Sequence, residues 1–283
     1  MITKNDMQLK SIMKKKAEKY GISPQATLQL YCLERLLERM SKSEENDFFI
    51  IKGGFLIASL IGIGNRSTMD IDTTVKGFTV SKEKVKDIFS NICNINIDDQ
   101  LTFTLDRVED IRETDDYPGI RVFILCEYGK IKSNLTVDVT TGDSIIPSEI
   151  EYTYKCVFDD KDIPIWAYPL ENIMAEKLET VIARNIANTR PRDFYDIYIL
   201  YKLKGNYINW QDLKKALIST SKKRKSLEIL KNYSEIIDTL KINSFQNNLW
   251  NKFIKKNSFA TGISFEQTVE IVSKCFINIE MVI

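Results

Sequence analysis

A change of period near Pro169 constrains this chain more than any other feature. Before it, residues 101–105, 121–128, 135–140 and 152–157 alternate apolar and polar side chains, as half-buried strands do. After it, residues 170–185, 191–203, 210–219, 227–240 and 265–275 carry apolar residues at helical spacing. Further upstream, 48–52 and 69–75 read as strands. Residues 55–61 and 82–92 read as helices, the second capped by Ser81. Two amphipathic helices, 6–20 and 24–41, are expected to open the chain, with Pro24 at an early helical position after Ser23. Turns are expected at Tyr117-Pro118-Gly119 and at residues 127–130. The expected class is therefore α+β. A mixed domain over residues 1–168 is followed by a helical domain over 169–283, joined near Pro164 to Pro169.

Composition removes several chemistries. The 283 residues include no histidine, which excludes a His-dependent triad, a His metal site and an imidazole base. Net charge is +1, so a nucleic-acid surface has to come from local clustering of Lys and Arg. The five cysteines are scattered and odd in number, which fits reduced thiols in the cytoplasm better than a disulfide frame. The longest apolar stretch, 55–64, is too short to span a bilayer. Lys4, Asp6, Lys10 and Lys14 leave no apolar core for a secretory signal.

With histidine absent, the carboxylates carry the argument. Asp70 and Asp72 stand two apart on an expected strand, so both point to one face. Two such acids repel unless a cation sits between them. Hard oxygen ligands suit Mg²⁺, which takes one or two carboxylates plus substrate phosphates. Upstream, Gly53-Gly54 before a helix lets backbone approach a triphosphate at a helix N-terminus. Together these describe a nucleotide-phosphate site for metal-assisted phosphoryl transfer. The plain alternative is a pair of surface aspartates on an edge strand.

Asp138 lies on another alternating strand, with Leu135, Val137 and Val139 facing the core. If that strand neighbours residues 69–75, Asp138 completes a three-carboxylate cluster and is placed to deprotonate an attacking hydroxyl. Asp143, in a turn, competes for the role. Lys177 and Arg184 share a face of one expected helix, and Arg190-Pro191-Arg192-Asp193 opens the next. Lys177 on a triphosphate, and a structural reading in which Asp193 and Asp196 start a helix and pair with Arg184 or Arg192, remain equally open. The runs 14–16 and 222–225 are basic, as solvated surface or as RNA contacts.

Gly53-Gly54, Arg66-x-Thr68-x-Asp70-Ile71-Asp72, Asp138, Lys177-Leu178 with Arg184, and Arg190-Pro191-Arg192-Asp193-x-x-Asp196 occur in this order. The set resembles the AbiEii/AbiGii toxin family of nucleotidyltransferases. The resemblance implies a polymerase-β-like nucleotidyltransferase core with a helical C-terminal domain. It also implies the toxin of a bacterial type IV toxin–antitoxin pair, linked to abortive infection against phage. Related MenT-type toxins transfer nucleotides from an NTP to the tRNA 3′ end and block aminoacylation. By carry-over, Asp70, Asp72 and Asp138 hold Mg²⁺, with two ions allowed. Gly53, Gly54, Arg66, Thr68, Lys177, Arg184 and Arg192 contact the nucleotide, and Asp193 belongs to the C-terminal functional motif. The implied setting is a cytoplasmic monomer with a tRNA acceptor and a winged-helix antitoxin encoded nearby, away from membranes. Two rivals stand beside it: the same chemistry on a protein or small-molecule hydroxyl, and a silent nucleotide-binding regulator.

Overall fold

A computed structural model describes residues 5–66, 68–111 and 119–280. The expected turn at Tyr117-Pro118 and the motif residue Ser67 lie outside the described residues. Two compact units divide the chain: Met1–Asp143 with Ile150–Ala167, and Ser144–Glu149 with Tyr168–Ile283.

The first unit is built on a seven-stranded mixed sheet. Its helices are α1 (Asp6–Tyr20), α2 (Pro24–Ser41), α3 (Gly53–Ile61) and α4 (Lys82–Asn94). Its strands are β1 (Phe49–Lys52), β2 (Asp70–Val75), β3 (Thr102–Asp110), β4 (Ile120–Tyr128), β5 (Ile131–Thr141), β6 (Ile150–Lys155) and β7 (Asp162–Ala167). They lie in the order β3-β4-β5-β2-β1-β7-β6. The pairs β2–β5 and β1–β7 are parallel and the others antiparallel. Alternation puts Ile71, Val122, Ile124, Leu135, Val137 and Val139 in the core, where Leu33, Leu36 and Leu37 of α2 and Phe89 of α4 are also fully buried. Phe89 meets Phe49 edge-on, with ring centroids 5.7 Å apart.

The structure differs from the sequence expectation at several strands: β5 starts at Ile131, β6 spans Ile150–Lys155, and three others differ as follows. Phe48 closes a short 3₁₀ turn instead of starting β1. β3 runs on to Asp110; the register shift between Leu105 and Arg107 interrupts the alternation that marks a strand, so the sequence pattern stops at Leu105. The junction was expected near Pro164 to Pro169, but residues 164–167 belong to β7, in spite of Pro164. Pairing with β1 begins only at Trp166, so the missing N–H of Pro164 costs no bond to that strand.

The second unit holds α5 (Leu170–Arg184), α6 (Pro191–Lys204), α7 (Trp210–Lys223), α8 (Leu227–Lys231), α9 (Tyr233–Lys241), α10 (Ser244–Lys256) and α11 (Phe265–Asn278). The single helix expected over 227–240 is interrupted at Asn232, a residue whose side chain favours helix ends. α10 escapes sequence reading because its buried face is thin, with only Gln246, Trp250 and Phe253 inside. Aromatic contacts tie these helices together: Phe194 meets Phe265 at 5.0 Å, and Tyr195 meets Phe259 at 4.9 Å. Ser264 and Gln267 form a reciprocal capping box at the start of α11.

Candidate active site

Ile71 is fully buried, so Asp70 and Asp72 project together from the opposite face of β2. β5 runs parallel beside β2 with Asp138 in register with Asp72. Its neighbours Val137 and Val139 are fully buried, which turns Asp138 to the same face as the other two acids.

The start of α3 meets this face. Lys52 occupies the N-cap position, and its own side chain makes no capping bond. The Asp72 carboxylate takes that role, accepting from the Gly54 N–H at Oδ2 over 3.2 Å. The positive end of the helix favours the charge. Gly53 has φ +65°, and a Cβ there would fall inside the Asp72 carboxylate. A Cβ on Gly54 would lie 2.8 Å from Nη2 of Arg66 and 3.0 Å from Oγ1 of Thr68. The Thr68 hydroxyl donates to Oδ1 of Asp70 at 3.0 Å. Gly53, Gly54, Arg66, Thr68, Asp70 and Asp72 therefore form one contiguous group.

Burial, and next the charge of Asp70, push the Asp72 carboxyl up to about 6; the Gly54 N–H and Lys52 oppose them. The ammonium of Lys52 is shared with Asp143, its ion-pair partner. The pair thus lies in the field of a lysine already ion-paired with Asp143 and of Arg121, which is engaged with Asp138. An all-oxygen set of two carboxylates fits Mg²⁺, which completes its shell with water and substrate phosphates. Asp138 is engaged differently. Arg121, its cross-strand partner on β4, donates Nε and Nη2 to the two carboxylate oxygens, each at 2.7 Å. Among the described residues, no three acidic, cysteine or histidine side chains converge as a metal cage.

The remaining expected residues belong to the second unit. The Lys177 ammonium on α5 lies 2.6 Å from Oδ1 of Asp193 and 3.1 Å from Oδ2 of Asp196, both buried acids of α6. The other oxygen of Asp193 is buried without a hydrogen-bond partner. Arg184 stands in the last turn of α5, and Arg192 is exposed near the start of α6. In the basic run 222–225, Arg224 pairs with Glu179 at 2.6 Å. A groove of about 260 Å³ lined by Leu37, Met40, Tyr152 and Trp166 contains none of the expected site residues.

Two neighbours of the acids escape the sequence pattern. Arg121 is one of many charged residues on alternating strands, and its partner depends on the β4–β5 register. Lys52 directly precedes Gly53, and that adjacency is the signal that marks it.

Paired carboxylates beside a glycine-led helix, on a mixed sheet followed by helices, place the chain in the nucleotidyltransferase class. Residues 35–271 match the model of the AbiEii nucleotidyl transferase toxin of type IV toxin–antitoxin systems, and the chain belongs to that family. Two solved structures from Helicobacter pylori are similar in outline. One, a candidate nucleotidyltransferase, is 17% identical with a TM-score of 0.49, covering 91% of this chain and 96% of its own. The other, JHP933, is 18% identical with a TM-score of 0.49, covering 91% and 92%. No curated protein is similar enough to this chain to count as a match.

Proposed function

We propose that this toxin transfers nucleotides from an NTP to RNA, with the tRNA 3′ end as acceptor, in a Mg²⁺-dependent reaction that arrests translation and growth. The observation that supports it most is the Asp70–Asp72 pair, held against the start of α3, with the Asp72 carboxyl pushed up by burial and by the charge of Asp70. Asp70 and Asp72 would hold the ion, which when bound supplies Lewis-acid stabilisation of the reacting phosphate. The N–H groups that start α3 at Gly53 and Gly54 offer donors to the NTP phosphates, and Arg66, packed against Gly54, adds charge there. Thr68 orients the Asp70 carboxylate.

In the transfer, the acceptor hydroxyl oxygen bonds to the α-phosphorus. The bond from that phosphorus to the leaving phosphate oxygen breaks, and pyrophosphate departs. The hydroxyl proton goes to a base on the same face, and Asp138 takes it by exchanging one oxygen away from Arg121. For Lys177 and Asp193, with Arg184 and Arg192, we assign a part in nucleotide use. The type IV family implies an antitoxin; a winged-helix protein encoded nearby fits that role. Among the described residues no helix is long and apolar enough to cross a membrane. A tRNA acceptor puts the reaction of this protein, as a monomer, in the cytoplasm.

Incubation with each labelled NTP, Mg²⁺ and total tRNA tests this reading. Label should appear on tRNA and be absent with Asp72→Asn. Strong label on a protein with none on tRNA moves the acceptor to a protein hydroxyl. NTP binding without label on any acceptor makes the chain a silent regulator.

A further inference from the structure

Arg121 has no part in the residue pattern that resembles the family's, yet it makes a bidentate ion pair on the acid face. Both oxygens of Asp138 accept from it, through Nε and Nη2, at 2.7 Å each. The pair is cross-strand and in register, so backbone hydrogen bonding fixes the two Cα positions. The Asp138 side chain is 14% exposed and that of Arg121 is 43% exposed, so the carboxylate is inside and its cation reaches outward. A fork–fork pair of this kind is among the stronger charge-assisted contacts.

The consequence follows from counting charge. Asp70 and Asp72 share a face with Asp138, and among the described residues neither is held by such a fork; Asp72 meets the Gly54 N–H and a second acid, with Lys52 and Arg121 offsetting that charge without a fork. A second divalent ion would need the Asp138 carboxylate turned away from Arg121 toward Asp70 and Asp72. With Arg121 in place, one of the three is already balanced. We infer that Arg121 is a positioning residue that replaces a second metal ion, so that this protein takes one divalent ion, through Asp70 and Asp72. Asp138 is then oriented by Arg121 and is not a ligand. This rests on the Asp70–Asp72 pair being a metal site, as proposed above.

Mn²⁺ binding, counted by electron paramagnetic resonance with a non-hydrolysable NTP analogue present, tests the inference without reference to activity. The wild-type protein should bind one Mn²⁺ per chain. Arg121→Gln should bind two, because Asp138 is released, and the double variant Arg121→Gln with Asp138→Asn should return to one. Arg121→Lys retains the charge and should bind one. Two ions on the wild-type protein, or one on Arg121→Gln with folding verified by its melting curve, would overturn the inference. If Arg121→Gln does not fold, the wild-type count decides alone. No Mn²⁺ on the wild-type protein would overturn the metal site itself and the inference with it. That outcome is distinct from a count of two, which leaves the metal site standing.

Discussion

Two groups of buried charge in the first unit are built on opposite plans. On α2, each arginine has acidic partners. Arg39 donates Nη1 and Nη2 to the two oxygens of Asp99 at 2.8 Å each, and lies 4.3 Å over the Phe103 ring. Arg35 donates to Glu38 at 2.8 Å and to Asp159 at 3.2 Å, while Lys42 and Lys161 reach Glu38 as well. On β2, Asp70 and Asp72 face each other's charge, and among the described residues Asp72 is offset by an N–H group, a lysine shared with Asp143 and an arginine engaged with Asp138. Balanced buried charge fixes elements together, at a desolvation cost that its pairing offsets. Unbalanced buried charge costs stability, and such sites are where function is concentrated.

Substitutions separate the two plans. The largest effect belongs to β2. Asp72→Asn should lower nucleotidyl transfer by about 10²–10³-fold, the loss typical of removing one preorganised electrostatic group. The same variant should melt no lower than the wild-type protein in metal-free buffer, because one member of a repelling pair has been neutralised. Transfer assays and calorimetry on the same sample read both. On α2 the pattern should invert. Arg39→Met leaves Asp99 buried without its guanidinium and should cost about 3–5 kcal/mol in denaturant unfolding. The fraction that remains folded should transfer nucleotides at the wild-type rate.

Lys177 sharpens the comparison, because it combines both plans in the second unit. Its ammonium sits between two buried acids, as on α2, yet the family motif includes it. Lys177→Ala should lower stability by about 3 kcal/mol by leaving Asp193 and Asp196 without that cation. It should also lower transfer measured below its own melting transition. A normal rate there assigns Lys177 to structure alone.

The smallest effect comes from a carboxylate of the α2 group that is imperfectly balanced. Glu34 is fully buried, and one of its oxygens lacks a hydrogen-bond partner. Burial pushes its carboxyl from 4.5 up to about 7, against the Val157 N–H and the Tyr154 hydroxyl. A raised carboxyl binds its proton more tightly in the folded protein, so this contribution to stability falls as pH rises from about 4.5 to about 7. Glu34→Gln should remove that slope, a change on the order of 1–3 kcal/mol across the window, in unfolding curves taken from pH 4 to pH 8.

The same contrast explains what could be read from the sequence. The placement of Asp70, Asp72, Gly53 and Gly54 was legible because it is local: an i, i+2 pair on a strand and glycines at a helix start. Asp138 was legible only as a condition, that β5 should neighbour β2, and the parallel β2–β5 pairing meets it. The Arg121 fork and the Arg39–Asp99 pair depend on register and on contacts across 17 and 60 residues, which no local pattern encodes. Strand β7 and helix α10 were missed for local reasons, a proline inside one and a thin apolar face on the other.

Thermal melting with and without Mg²⁺ and a non-hydrolysable NTP analogue tests the central claim most directly, since it asks whether the unbalanced pair on β2 is where the cation and nucleotide bind. A ligand that binds only the folded state raises the melting temperature in proportion to its occupancy. The account predicts that Mg²⁺ with the analogue raises it for the wild-type protein and for Glu34→Gln, and leaves Asp70→Asn and Asp72→Asn unmoved. An equal rise in either aspartate variant would contradict it.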